Sequence, residues 1–137
     1  MTVRLVHLLV GVATVLVFLG TGLYMRLGFP ELYEGNETIR YLFRANHVYL
    51  LFSGLVNILL GVYRQASETR WKSLLQSAGS WILVFSPALF LAAFVFEPPQ
   101  ASPMRPVTLL AVFLTFFGVV AHMIGGLSKR IRSGKNA

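Results

Sequence analysis

The 137-residue chain is 55% hydrophobic, only 12% of its residues are charged, and its formal net charge is +7. A soluble domain usually has about a quarter charged residues, and a domain this small cannot hide so much apolar surface in its own core. The composition therefore excludes an ordinary soluble domain and predicts one domain that contacts the lipid bilayer. The basic residues lie at the ends of apolar segments, which argues against nucleic-acid binding. Cysteine is absent, so disulfides and thiolate metal sites are excluded.

Four apolar segments follow one another along the chain, each close to the ~20 residues that cross a bilayer as a helix. Since lipid offers no partner to an open backbone, each segment is expected to be helical. The predicted helices span residues 3–25, 41–63, 74–96 and 106–127. They form a four-helix transmembrane domain over residues 1–128, and residues 129–137 form a basic tail. Short connections make consecutive helices antiparallel, so the predicted fold is an all-α, polytopic, four-helix bundle.

Lysine and arginine are unevenly distributed between the two ends of these helices. Eight lie on the side of the two termini, and four lie on the other side. Because positively charged residues are retained in the cytoplasm, both termini are expected to be cytoplasmic. The sequence therefore predicts a multi-pass protein of a prokaryotic plasma membrane.

Small and weakly polar residues recur at helical spacing, which is typical of the inward faces of membrane helices. In the third helix, Pro87 is also expected to free a backbone carbonyl. The predicted inward faces comprise His7, Gly11, Thr14, Phe18 and Thr21 or Gly22; Asn46, Leu50, Ser53 or Gly54, Asn57 and Gly61; Ser73, Ser77, Ser80, Val84 and Pro87; and Thr108, Ala111, Thr115, Gly118, His122 and Gly125 or Gly126.

Two histidines on these faces are the strongest candidate site. His7 lies near the start of the first helix and His122 near the end of the fourth, so an antiparallel arrangement brings them to one level. Gly11 and Gly118 each lie one turn deeper, where small residues are expected to leave room for a flat macrocycle. Two neutral imidazoles are typical axial ligands of a b-type haem.

Polar and charged neighbours complete this predicted haem b site. Arg4 and Lys129 lie near the same membrane surface, where they are expected to meet the propionates. Asn57, with Ser77 or Ser80, is expected to hydrogen-bond the ligands. The alternative interpretation is structural: His7 is an interfacial residue, and His122 bonds to a neighbour within the bundle. A metal ion held by the two histidines alone would lack ligands, so they are predicted to bind metal only as haem iron.

A second polar group opens the second helix at the outer boundary, where Arg44, Asn46 and His47 are close in sequence. These residues are expected either to anchor the helix and pair with loop glutamates, or to form an outward binding patch. The ligand of such a patch would be a quinone headgroup, a small solute or a partner protein.

In size and number of spans the chain is similar to the glutathione-dependent MAPEG membrane enzymes, and Arg44 and Asn46 resemble residues of their polar second helix. The glutamate expected after that asparagine is missing, because residue 47 is histidine. The charge distribution also places this segment on the non-cytoplasmic side, which disagrees with that resemblance.

Three functions agree with these patterns. The first is haem b binding for membrane electron transfer or haem handling. The second is an accessory or assembly subunit, without enzymatic activity of its own, in a larger membrane complex or homo-oligomer. The third is a small solute transporter or channel. The spacing of Asn57 and the histidines agrees with all three functions and does not distinguish between them.

Overall fold

The computed structural model describes residues 2–63, 69–102 and 104–126, with the backbone alone at residues 30–32. These residues form only helices and their connections. The helices are α1 (Val3–Leu32), α2 (Glu37–Tyr63), α3 (Arg70–Phe96) and α4 (Pro106–Gly126), with a 3-10 turn at Pro98–Gln100. All four α-helices are long and apolar enough to cross a membrane, so the all-α, four-helix prediction is confirmed. The predicted basic tail lies outside the described residues.

Three helices extend beyond their predicted ends. α1 continues to Leu32, α2 begins at Glu37, and α3 begins at Arg70. The prediction from sequence considered only the length of each apolar segment, whereas packing between helices stabilises further helical turns beyond it. Phe29 is only 4% exposed, and its ring centre lies 5.4 Å from that of Phe43 on α2.

Local chemistry also explains where α2 begins. The backbone N–H of Ile39 donates to the side-chain oxygen of Asn36 at 3.1 Å, which is the bonding pattern of a helix N-cap. Glu37 in the first turn is favourable beside the positive end of the helix dipole. Just before the cap, Gly35 has a φ of +76°, a left-handed conformation that glycine adopts without steric cost.

The four helices pack as two antiparallel pairs. α1 lies along α2 and α3 lies along α4, while contacts between α2 and α3 join the pairs. α1 and α2 run antiparallel, because Gly61 near the end of α2 contacts Leu8 near the start of α1, whereas Gly22 of α1 contacts His47 of α2. α1 and α4, in contrast, make little direct contact in the described part of the chain.

Glycines allow both pairs to pack closely. A Cβ atom at Gly11 would lie 2.6 Å from Cγ1 of Ile58 and 2.8 Å from the carbonyl oxygen of Gly54. In the other pair, a Cβ atom at Gly79 would lie 2.6 Å from the carbonyl oxygen of Gly118. Such close approach through small residues is the usual way in which helices associate in lipid, where apolar surface alone gives little driving force.

The buried faces agree with the predicted stripes of α2 and α4 and with the first half of that of α1, whose Phe18, Thr21 and Gly22 are half-buried. The prediction for α3 is partly wrong. Ser73 is exposed and Ser77 is half-buried. The buried face of α3 is rotated toward Gln76, Gly79 and Leu83, because Gly79 brings this side of the helix against α4. Sequence spacing identified several serines but not which of them the partner helix covers.

We expect alanine at Gly79 to destabilise the fold by about 1–3 kcal/mol, because the methyl group would overlap backbone atoms of α4. The matched control is Gly20→Ala, since a Cβ atom at Gly20 meets nothing within 4 Å. Unfolding of the purified protein by denaturing detergent measures both variants. Equal stability of the two would contradict the close packing of α3 on α4.

Candidate functional site

His7 and His122 meet in the interior, between α1 and α4. Their side chains are 0% and 6% exposed. The ring centres lie 6.4 Å apart, and the ring planes are almost perpendicular, at 85°. The structure therefore brings the two histidines together, although α1 and α4 hardly pack on each other.

A hydrogen bond from Asn57 of α2 orients His7. Nδ1 of His7 lies 2.7 Å from Oδ1 of Asn57. The amide nitrogen of Asn57 donates to two carbonyl oxygens, those of Ser53 at 2.9 Å and Leu83 at 2.8 Å. Since these carbonyls accept both amide protons, Oδ1 of Asn57 faces His7 as an acceptor, and Nδ1 of His7 carries the proton. In neutral His7 the lone pair is then on Nε2, the nitrogen that can ligate a metal.

The carbonyl of Leu83 explains why Asn57 is bonded to α3. In a regular helix this oxygen would accept from the N–H of the fourth following residue, which here is Pro87 and has no N–H. The hydroxyl of Ser86 donates to the same oxygen at 3.0 Å. The carbonyl that the proline was expected to free is therefore bonded twice, and one of the bonds links α2 to α3.

His122 has a corresponding partner on α3. Its Nδ1 lies 3.0 Å from Oγ of Ser80. Ser80 is fully buried whereas Ser77 is half-buried, and Ser80 makes the described bond to this ligand candidate. The neighbouring Gly79 brings α3 against the backbone of His122, which places the hydroxyl at bonding distance.

Gly11 and Gly118 do not line an open gap, so the predicted reason for these two glycines is wrong. Gly11 lies against Gly54 and Ile58 of α2. A Cβ atom at Gly118 would lie 3.0 Å from Cγ of Leu83 on α3. Both glycines serve close packing within the helix pairs.

Of the two cations predicted near the histidines, the structure describes Arg4 but not Lys129. Nε of Arg4 donates to the carbonyl of Gly61 at 3.1 Å, and one of its terminal nitrogens donates to the carbonyl of Val62 at 3.2 Å. Arg4 therefore caps the C-terminus of α2, where a cation is favourable. Lys129 lies outside the described residues.

At the other end, Asn46 is buried in a second polar network. Its amide nitrogen donates to the carbonyl of Ala93 at 2.8 Å, and its oxygen accepts from Arg105 and Thr108. Oε1 of Glu97 accepts from the backbone N–H groups of Val107 and Thr108, at 2.7 and 3.1 Å, and so caps α4. Oε2 of Glu97 lies 3.7 Å from Nε of Arg105 and accepts from the hydroxyl of Thr108.

The predicted outer patch of Arg44, Asn46 and His47 is wrong as a single surface. Asn46 is fully buried, and only Arg44 is exposed. His47 stacks on Phe18 of α1, with ring centres 4.0 Å apart, and its Nδ1 lies 2.9 Å from the hydroxyl of Thr21. Asn46 points toward α3 and α4, whereas Arg44 and His47, three residues apart, both lie on the side of α2 that faces α1.

The Glu97–Arg105 pair was not predicted from the sequence, where both residues were counted only as charges of a connection. A signal was present, since opposite charges flank one short, proline-rich connection. Only the tertiary structure shows that the connection folds back and buries the carboxylate, which is 5% exposed.

Among the described residues there is no cluster of three or more histidine, aspartate or glutamate side chains that could hold a metal ion. The histidine pair can therefore supply two ligands, and a haem iron needs only two, because the macrocycle provides the other four. Comparisons with protein-family models, curated protein sequences and solved structures found no match. The function is therefore inferred from the site itself.

We expect Asn57→Leu to destabilise the protein by about 1–3 kcal/mol, because it leaves His7 and the Leu83 carbonyl without a shared partner. In a Pro87→Ala background the penalty should be smaller, with a coupling of about 0.5–3 kcal/mol, since an N–H at residue 87 can bond that carbonyl. Denaturing-detergent titrations of the two single variants and the double variant measure this coupling.

Asn46→Leu provides the matched control for that cycle. It removes a buried asparagine of the same helix that bonds a different α3 carbonyl, that of Ala93. Its cost should add to that of Pro87→Ala. If the costs of Asn57→Leu and Pro87→Ala also added, the Leu83 carbonyl would not depend on the Asn57 amide for its hydrogen bond.

Proposed function

We propose that this protein is a polytopic membrane protein, with both termini in the cytoplasm, that binds a b-type haem between His7 and His122. Its role would be membrane electron transfer or haem handling. One observation supports the proposal above all: two buried imidazoles lie with their ring centres 6.4 Å apart on helices that make little direct contact.

The separation of the rings agrees with a shared metal. Bonds of about 2 Å from a metal to two opposed imidazole nitrogens place the ring centres roughly 6 Å apart. The observed separation is 6.4 Å. Perpendicular ring planes are compatible with this arrangement, because each ring can rotate about its own bond to the metal.

Hydrogen bonds to the remote nitrogens also favour ligation. In most metal sites the ligating histidine donates its other ring N–H to a protein acceptor, which fixes the tautomer. Asn57 accepts in this way from His7, and Ser80 is bonded to the same nitrogen of His122. Both contacts involve Nδ1, so Nε2 is the nitrogen of each ring that would ligate the metal.

The macrocycle would lie between α1 and α4, where the helix pairs have few direct contacts to lose. The glycine contacts lie within each pair and not between α1 and α4, so they would remain when haem is bound. Bound haem supplies one-electron chemistry, while the chain supplies ligands and an apolar site that excludes water.

Protein purified from haem-replete cells should show a Soret band, and His7→Ala and His122→Ala should each abolish or strongly shift it. His47→Ala is the matched control, because His47 stacks on Phe18 at the other end and should leave the band unchanged. Absence of the band in fresh protein, with none gained on addition of haemin, would overturn the haem site. A stoichiometric partner protein in such colourless material would favour the accessory-subunit function.

The orientation has its own test, because the natural chain contains no cysteine. We expect Glu34→Cys to react with a membrane-impermeant maleimide in intact cells, and Thr2→Cys to react only after lysis. Both residues are exposed, so accessibility depends on the side of the membrane. The opposite labelling pattern would reverse the proposed topology without affecting the haem site.

A further inference from the structure

Three arginines surround a cleft at the end of α1 and α2 remote from the histidine pair. The cleft has a volume of about 310 Å³. Its lining residues are Met25, Arg26, Phe29, Arg40 and Arg44. α1 contributes the two apolar residues and one arginine, and α2 contributes the other two arginines.

Among the side chains that the structure describes, one of the three arginines of this cleft is paired with a carboxylate. Arg40 pairs with Glu37 at 3.1 Å, and the glutamate side chain is 76% exposed. Among the side chains that the structure describes, neither Arg26 nor Arg44 is paired with a carboxylate. Glu97, the buried carboxylate of this end, is bonded to Arg105 and to the start of α4. An anion in the cleft would therefore meet two guanidinium groups that no described carboxylate neutralises.

Arg40 also has an unused donor. Its Nε atom is buried and has no hydrogen-bond partner in the described part of the chain. A buried donor without a partner is unfavourable, so an acceptor that reached this atom from the cleft would remove that penalty as well as balance charge. Guanidinium groups match the oxygens of a phosphate particularly well.

The apolar part of the cleft indicates what kind of anion fits. Met25 and Phe29 line it beside the arginines. Arg26 ends the stretch of α1 after Arg4 that contains no Asp, Glu, Lys or Arg, and this would place the cleft at the level of lipid headgroups. On the outer surface nearby, Leu27 and Tyr41 are 68% and 67% exposed and continue the apolar surface past the cleft. A ligand with an anionic head and an apolar tail satisfies both parts.

We propose that the arginine cleft binds the phosphate headgroup of an anionic phospholipid, with an acyl chain along α1. The proposal rests on the membrane location of the four helices and is independent of haem, which would bind at the opposite end. Each contact follows from ordinary chemistry: the guanidinium groups bind the phosphate, and Met25 and Phe29 contact the start of the acyl chain.

The experiment measures lipid retained by the full-length protein in mild detergent, by native mass spectrometry, during titration with phosphatidylglycerol or phosphatidylcholine. The protein should retain phosphatidylglycerol at least tenfold more tightly. The Arg26→Gln/Arg44→Gln double variant should lose this preference, and both residues are exposed, so folding should persist. The control is Arg70→Gln, which removes an exposed arginine at the other end of the molecule.

Inorganic phosphate, added alone in the millimolar range, distinguishes the two possible sources of the anion. If it displaces the lipid and raises the melting temperature as much as phosphatidylglycerol does, the cleft binds free phosphate and the lipid proposal is overturned. Equal retention of the two lipids, or equal loss in Arg70→Gln, would also overturn it. The Soret band of the double variant is measured in parallel. If the band persists while the lipid preference is lost, the loss comes from the arginine cleft and not from the haem site.

Discussion

The interior of this protein depends on satisfying one backbone carbonyl. Pro87 leaves the oxygen of Leu83 without its usual helical partner, and Asn57 supplies the replacement from α2. The same amide accepts from His7, so one side chain connects α1, α2 and α3. An unbonded polar group away from water is costly, and this cost gives the connection its strength. The orientation of the histidine therefore follows from the position of a proline on another helix.

The two ends of the helices use polar residues differently. At the end of the histidine pair, neutral side chains hold two imidazoles in a dry interior, and His122 is bonded to Ser80. At the other end, Glu97 and Arg105 form a buried ion pair that also caps α4. A network of this kind fixes a connection in place, because removing either charge would leave the other without an opposite charge in a mostly buried site. The first end offers ligand chemistry, whereas the second end offers structural stability and, at its surface, the arginine cleft.

Close packing limits where a ligand can enter. Glycines bring α1 onto α2 and α3 onto α4 so closely that an added methyl group would overlap the partner helix. The space between α1 and α4 lacks such contacts, and His7 and His122 meet there. The proposed haem therefore lies at a helix boundary with few direct contacts. The arginine cleft lies at the opposite end of α1, so the two proposed ligands would not compete.

The sequence by itself determined the four helices and most of their inward faces, because helical periodicity and the lengths of apolar segments depend on local residues. It also identified Pro87 as the source of a freed carbonyl and His7 and His122 as interior candidates. Only the tertiary structure decided that Gly11 and Gly118 pack against neighbouring helices and that Asn46 is buried. Rotation of a helix, its partner and the path of a loop depend on contacts between residues far apart in the chain, which no local pattern encodes.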